Sequence, residues 1–483
     1  MSAPEPAEHR LPSPVTLALL VVVALLVAVA LVHNLVDADF FWHRATGRLI
    51  VERGAIPTTD PFSFTWGGAW TLHEWLGEVL IHLLVSSVGA TVTLVVFGAL
   101  SGVAIWIPAA TAVRLGARTL PVVAAAVVAT LVLIPFVTVR PQVLSWVLLG
   151  MLVALLLSLD AGRPRRVLWL APLFLVWANL HGLWVVGLVA LVVYGAFTLI
   201  GRTRMAGAGG WMLAGLVVAL VAVMITPAGP GGLLYPLRYI EPGDWGLANI
   251  AEWQSPDFHD GAHIGLLLLI LGLAGVGVVA AVPGWMAVLA LGAVAMSLVS
   301  LRNEPIAAVW ALPVLALGLD ARLPRRDRRR SAATARSRRM LEVGLAVVTI
   351  VAIAITLGPR VLSTEAAVAE AGLPVASVDH LTAARPAARV LAEYGWAGYV
   401  IDRLADDGAR VFVDGRNDMY PDEVLDAYST LRAATGDWSS ILDDHGVDAI
   451  LLPPGAPLIA AAQDRGNWCP AVAEPGQVLL LRC

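Results

Sequence analysis

The sequence predicts a mainly α, polytopic membrane protein of about eleven transmembrane helices that ends in a small α/β domain. Three observations carry this expectation. Of 483 residues, 58% are hydrophobic and only 14% charged, against about 25% charged in an ordinary soluble domain. Apolar runs near the length that crosses a bilayer core, roughly 20 residues, recur between positions 15 and 358. After Pro359 the composition turns ordinary, and the stretch up to Cys483 has the size and mix of a globular domain. The expected organisation is a short tail 1–14, a membrane domain 15–358 with a large loop 37–89, and a globular domain 359–483.

The apolar segments fall at 15–36, 90–113, 119–139, 142–160, 167–180, 183–201, 210–226, 263–282, 284–300, 305–320 and 341–358. The first follows His9 and Arg10, is longer than the apolar core of a signal peptide and has no small-residue cleavage site, so it reads as a retained anchor. Segment 167–180 is short for a crossing unless it tilts or thins the bilayer. Arg concentrates in cytoplasmic loops. An inside N-terminus gives seventeen inside Arg, including the cluster from Arg322 to Arg339, against six outside before the last segment. An odd number of crossings then sends the C-terminal domain to the outer side. The expected location is a bacterial plasma membrane with a cytoplasmic N-terminus and an extracytoplasmic C-terminal domain.

Within loop 37–89, Phe41, Ala45, Leu49 and Ile50 recur near helical spacing with Arg44 and Arg48 opposite, which predicts an interfacial amphipathic helix over 40–51. Gly54 and Pro57 end it, TTDPFSFT is turn-rich, and a second interfacial helix is expected over 72–85. In the tail, strand-like runs lie around GYVI and at ARVFVDG, DAILLPP and QVLLLRC, with helical patterns at 421–434 and 437–446 between them. Cys469 and Cys483 fall in the expected oxidising compartment, where a disulfide between them is chemically reasonable.

This topology sorts the chemistry. Asp37, Asp39, His43, Asp60, His73, Glu74, Arg140, Asn179, His181, Glu252, Arg302, Asn303 and Glu304 fall in outward loops or at outward helix ends, while inward loops hold little but Arg, Gly, Pro and small residues. Ionisable groups at a membrane are costly and mark function. One loaded face points to a site at the outer surface, whereas a transporter would place polar groups near the midplane. A net charge of −4 offers no basic field, so no nucleic-acid partner is expected. HExxH, GxSxG, Walker A and CxxC motifs are all absent, which excludes the corresponding soluble chemistries.

Asp37-x-Asp39 directly after the first crossing, followed by a helical outer loop, resembles the GT-C superfamily of membrane glycosyltransferases. WHRATGRLIVERGAIPTTDPFSFT and HEWLGEVL look like a bacterial branch of it, as do VRPQVLSW, WANLHG, AEWQSPDF, LRNEP, EYGWAGYVI and VFVDGRNDMYPDEV further on. The resemblance spans nearly the whole chain. It implies inverting transfer of a sugar from a polyprenyl-phosphate donor to a glycan or protein acceptor outside the membrane. Asp37 or Asp39 is then the base, since the acceptor hydroxyl needs a carboxylate within reach. Arg140, Arg302 and Asn303 are phosphate-binding candidates, guanidinium matching phosphate geometry. His43, Asp60, His73, Glu74, Asn179, His181, Glu252, Asp414 and Arg416 are substrate-binding candidates, with Gly415, Asp418 and Tyr420 in the same tail motif. A divalent metal, Mg or Mn, would find ligands in Asp39, His73 and Glu74.

Each candidate has a plainer reading. Asp37 and Asp39 are good helix caps, Arg140 can snorkel to headgroups, and Arg302-Asn303-Glu304 can form a self-neutralising turn. Asn179 and His181 can bond a neighbouring helix. Glu252, Asp257, His259, Asp260 and His263 match no standard metal spacing, and GLAGVG inside an apolar segment suits helix packing better than a dinucleotide. The competing functions are a transporter or flippase of lipid-linked saccharide, and a non-catalytic assembly protein on the same fold.

Overall fold

The computed structural model describes residues 37–205, 207–236, 245–277, 282–324 and 372–483. The expected tail 1–14, the crossings 15–36 and 341–358, most of the Arg-rich loop between 321 and 339 and the start of the tail domain lie outside the described residues.

Long unbroken apolar runs become helices because a helix satisfies every backbone polar group internally, which hydrocarbon demands. Among the described residues, Trp75–Arg114, Thr119–Phe136, Gln142–Asp160 and Leu301–Arg322 are long and apolar enough to cross a membrane, and Trp184–Leu199, Gly209–Val223, Gly261–Val276 and Gly284–Val299 are shorter apolar helices. The protein is a multi-pass membrane protein. Segment 167–180 divides into a 3-10 turn, Pro164–Trp169, and an 11-residue helix, Leu170–Leu180, closed by an extended His181. The expected interfacial helix 72–85 and crossing 90–113 form one run, Trp75–Arg114, interrupted at Gly89. Its φ of 82° suits a residue without Cβ, so Gly89 marks the change from loop helix to spanning helix.

Polar pairing gives the bundle two distinct ends. Arg118 Nε lies 2.6 Å from Asp320 Oδ1 and the Arg204 N–H donates to Asp160 at 3.1 Å. Arg140 precedes Gln142–Asp160 and Arg302 precedes Glu304–Arg322, each 19-residue helix holding them roughly 28 Å from Asp160 and Asp320. Charged groups therefore collect at both mouths of an apolar bundle, and the richer set is at the Arg140 end.

The tail forms a five-stranded sheet of β1 (Arg389–Ala392), β2 (Arg410–Val411), β3 (Ala449–Leu452), β4 (Trp468–Glu474) and β5 (Gln477–Arg482) in the order β2-β1-β3-β5-β4. Strand β1 is parallel to β2 and β3, and β5 is antiparallel to β3 and β4. A Cys469–Cys483 disulfide with Cα atoms 5.5 Å apart ties β4 to the end of β5. The helices expected at 421–434 and 437–446 are Asp422–Ala433 and Trp438–Asp444. GYVI, expected to be a strand, is instead helical within Tyr394–Leu404. Ala397, Val400, Ile401 and Leu404 recur at helical spacing and are buried, while RVLA just before them takes the strand.

The first loop does not lie free along the membrane. Its helix, Ala38–Arg53, is closed by Gly54 and packs between the tail helix Tyr394–Leu404 and helix Trp75–Arg114. Phe41, Trp42, Phe62 and Trp70 join one apolar core with Val390, Phe412 and Leu451 of the tail, and burying such side chains contributes on the order of 1.5–3 kcal/mol apiece. Arg44 and Arg48, expected to face outward, both grip the buried Asp402 of the tail. Ser63 pairs in parallel with Val411, so the loop extends the sheet edge at β2. Loop and tail thus fold as one cap on the bundle.

Candidate functional site

Between bundle and cap lies a cavity of about 200 Å³ whose wall carries Asp39, His43, His73, Glu74, Arg140, His181, Glu252, Arg302 and Asp418. These residues come from seven stretches of the chain, separated by up to several hundred residues.

Asp37 is the N-cap of Ala38–Arg53, its side chain accepting from the Asp39 N–H at 2.9 Å. It also binds Arg140, which completes its coordination with Asp39 Oδ2 at 3.1 Å and Glu252 Oε1 at 2.6 Å. One guanidinium therefore holds three carboxylates. Burial alone would raise the Asp37 carboxyl, but Arg140 overrides it and keeps the group below its ordinary range. Burial wins at Asp39, aided by the charges of Asp37 and Glu252 against Arg140, and its carboxyl is pushed up to about 6. Asp39 is thus the carboxylate of this cluster with a proton affinity near neutrality, and it faces the cavity. Trp42 Nε1 donates to Asp39 Oδ1 at 3.0 Å and fixes its orientation. The tail backbone passes close by at Gly415, where a Cβ would collide with Asp39 Oδ1 and stand 2.9 Å from Trp42 Nε1, so only glycine allows the approach.

Opposite stands a carboxylate–imidazole group. Glu74 Oε1 lies 3.0 Å from His73 Nε2 and 3.4 Å from His181 Nε2. Burial opposes the Glu74 charge, but the flanking imidazoles outweigh it and hold the carboxyl well below its ordinary range. Burial likewise works against a charged His73, yet Glu74 pulls it above its usual value. Burial drives His181 down to about 4 and His43 to about 3, so both are neutral at pH 7. The Leu183 N–H points at His181 Nδ1 at 3.1 Å, which assigns the ring proton to Nε2, facing Glu74. His43 Nδ1 sits 3.4 Å from Glu78 Oε1.

Arg302 lines the same cavity with its guanidinium 5.1 Å from the ring centre of Trp253. It makes no ion pair among the described residues. Asn303, expected beside it at the phosphate, instead donates to the Met296 carbonyl at 3.2 Å and is not in the wall. Asn179 is a helix staple: it accepts from Trp75 Nε1 at 2.8 Å and donates to the Leu175 and Ile225 carbonyls. Asp60, Asp414 and Arg416 also lie away from the cavity. Arg416 binds Asp60 at 2.8 Å and Asp414 at 2.6 Å, and Tyr420 donates to Asp414 at 2.8 Å. This cluster seals the loop to the tail.

The expected metal set is not assembled. Asp39 is turned to Trp42 and Arg140, Glu74 to two imidazoles, and no group of three His, Cys, Asp or Glu side chains is placed to hold an ion among the described residues. These donors do not fit a divalent metal. The outer set also disperses: Glu252 is on Arg140, His259 pairs with exposed Asp257, and His263 pairs with Glu304.

Sequence reasoning did not single out Trp42, Gln142, Trp253, Tyr394 or Asn417, all in the wall. Asn417 sits in the DGRNDMY motif beside Asp418, which was among the residues named there and is in the wall. Tyr394 had no signal beyond its place in EYGWAGYVI. Asp418, pushed up to about 6 by burial, is a second acid of near-neutral affinity in the wall.

An apolar bundle, a helical first loop and a polar cavity beneath a small sheet domain define the fold of this multi-pass membrane protein. Two crystal structures of ArnT from Cupriavidus metallidurans share it, one bound to undecaprenyl phosphate and one in the apo state. The first covers 97% of this chain and 98% of its own, the second 96% and 97%, each with 15% identity and a TM-score of 0.51. At that identity the likeness is one of fold. No family model matches the chain, and no curated protein does.

Proposed function

We propose that the protein is a membrane glycosyltransferase that takes a sugar from a polyprenyl-phosphate donor and passes it, with inversion, to an acceptor hydroxyl at the extracytoplasmic face. The observation that carries this is a single cavity walled by an acid of near-neutral proton affinity, Asp39, and by a guanidinium, Arg302, that makes no ion pair among the described residues. A base with an affinity near the working pH combines the right protonation state with a useful driving force. Asp39 accepts the proton as the acceptor oxygen bonds to the anomeric carbon. The sugar–phosphate bond breaks with its electron pair leaving on the lipid phosphate, where Arg302 offsets the developing charge. Arg140, already held by three carboxylates, acts mainly to fix Asp37 and Asp39, and Glu74 with its imidazoles supplies hydrogen-bonding groups for the donor sugar. The ArnT structure with undecaprenyl phosphate supports a lipid of that class as the carrier.

The test uses the full chain in nanodiscs with undecaprenyl-phosphate-linked sugars and an envelope extract as acceptor, with products followed by mass spectrometry. A new glycosidic bond that depends on Asp39 supports the reading. Movement of the lipid-linked sugar across vesicles without any bond being made would favour a flippase instead.

A further inference from the structure

A second, larger cavity of about 720 Å³ adjoins the first, and Ile250, Ala251 and Tyr394 line both. It lies between the helix Trp245–Asn249 and the tail domain, and its size is within the roughly 300–1,000 Å³ usual for ligand sites. Its chemistry differs from that of its neighbour. Trp245, Tyr394 and Tyr428 form a row of rings with centres 6.1 Å and 6.3 Å apart. Trp245 Nε1 donates to Ser429 Oγ at 3.0 Å and the Tyr394 N–H to the Tyr428 hydroxyl at 2.8 Å, so the row is held by hydrogen bonds at both ends. Among the described residues the wall holds one acid and one guanidinium, Glu393 and Arg432, which pair through Nε and one terminal nitrogen, each at 3.0 Å, and cancel. The Tyr394 hydroxyl is buried and has no hydrogen-bond partner among the described residues, in a residue that lines both cavities.

From these features we infer that the larger cavity binds a neutral saccharide chain, the acceptor, and directs its terminal sugar past Tyr394 towards Asp39. Aromatic rings present flat apolar faces to the C–H faces of sugar rings. An internally neutralised ion pair offers donors and acceptors to hydroxyls without attracting a net charge. An anionic polymer would need uncompensated cations, and none is in the wall among the described residues. The Tyr394 hydroxyl, buried and unsatisfied, is a group whose cost is removed when a sugar hydroxyl bonds it. This inference rests on the proposed transferase reading for the direction of transfer, but not for the binding itself.

The experiment measures binding of the full chain in nanodiscs to an array of short neutral oligosaccharides (glucans, mannans, galactans, arabinans) and acidic glycans, alongside its binding of undecaprenyl phosphate. The wild type should hold neutral glycans in preference to acidic ones. Tyr394→Phe deletes only the unpartnered hydroxyl and should weaken this binding about tenfold with no loss of thermal stability. Trp245→Ala should abolish it and Trp245→Phe largely restore it, with undecaprenyl phosphate binding unchanged in both. An array with no neutral glycan bound, a preference for acidic ones, or wild-type binding by both Tyr394→Phe and Trp245→Ala would overturn the inference. Glycan binding without any binding of undecaprenyl phosphate would support this cleft while counting against the transferase.

Discussion

Two arginines, Arg416 buried and Arg140 partly buried, each hold more than one carboxylate, and they end in opposite situations. Arg416 lies between Asp60 and Asp414, with its guanidinium 5.0 Å from the ring centre of Phe62 and 4.6 Å from that of Trp70. Its side chain is 1% exposed and is not in the wall of the Asp39 cavity. Arg140 holds Asp37, Asp39 and Glu252 at the edge of a cavity, with the Asp39 side chain 23% exposed. The same chemistry makes a seal in one place and a cavity edge in the other. What separates them is the stacking of aromatic rings around Arg416, and the presence beside Arg140 of a third acid that one guanidinium cannot fully compensate. Breaking a sealed pair leaves a buried charge uncompensated, whereas at the cavity the surplus negative charge appears as a raised proton affinity at Asp39.

The comparison is sharpened first at Asp39. Asp39→Asn keeps the shape and removes the base, so transfer should fall by about 10²–10⁴-fold. The fold favours the uncharged form of Asp39; that contribution is present at low pH and lost as pH rises through about 6. Asp39→Asn should therefore unfold no lower than the wild type at neutral pH, which calorimetry checks. Arg416→Met should do the reverse, costing about 3–5 kcal/mol in stability, and Arg416→Lys should rescue little because it loses the two-pronged grip. If Arg416→Met proves stable but inactive, the seal is part of the site and the contrast fails.

A smaller effect is expected at Arg302. Arg302→Ala should weaken undecaprenyl phosphate binding by roughly tenfold or more through loss of charge-assisted hydrogen bonds, and leave stability near that of the wild type because no ion pair is broken. Native mass spectrometry measures both. The mildest is a pH profile. Transfer should rise roughly tenfold per pH unit below about 6 and level off above it, as a base that must be ionised dictates. A flat profile across that range would remove Asp39 from the role.

Much of the helical frame was legible because hydrocarbon enforces it. The segments expected at 142–160 and 284–300 appear as Gln142–Asp160 and Gly284–Val299, the length of an apolar run being itself the signal. GYVI misled because four apolar residues fit strand and helix alike, and only burial of Ala397 and Leu404 on one face separates them. At the site, residue types in outward loops pointed to Asp39, Glu74, Arg140 and Arg302. The division of labour among them was not legible, since it depends on pairings across the chain such as Arg140 with Glu252 and Arg416 with Asp60. Local sequence shows which charges exist; their partners, and hence which carboxylate keeps its proton, follow only from the packing of loop against tail.

The most direct test is a density map of the protein in nanodiscs with undecaprenyl phosphate added. The account predicts the phosphate inside the cavity walled by Asp39 and Glu74, within hydrogen-bonding reach of Arg302, with Arg416 still enclosed by Asp60 and Asp414. A lipid phosphate bound elsewhere on the bundle while that cavity holds only solvent would contradict it.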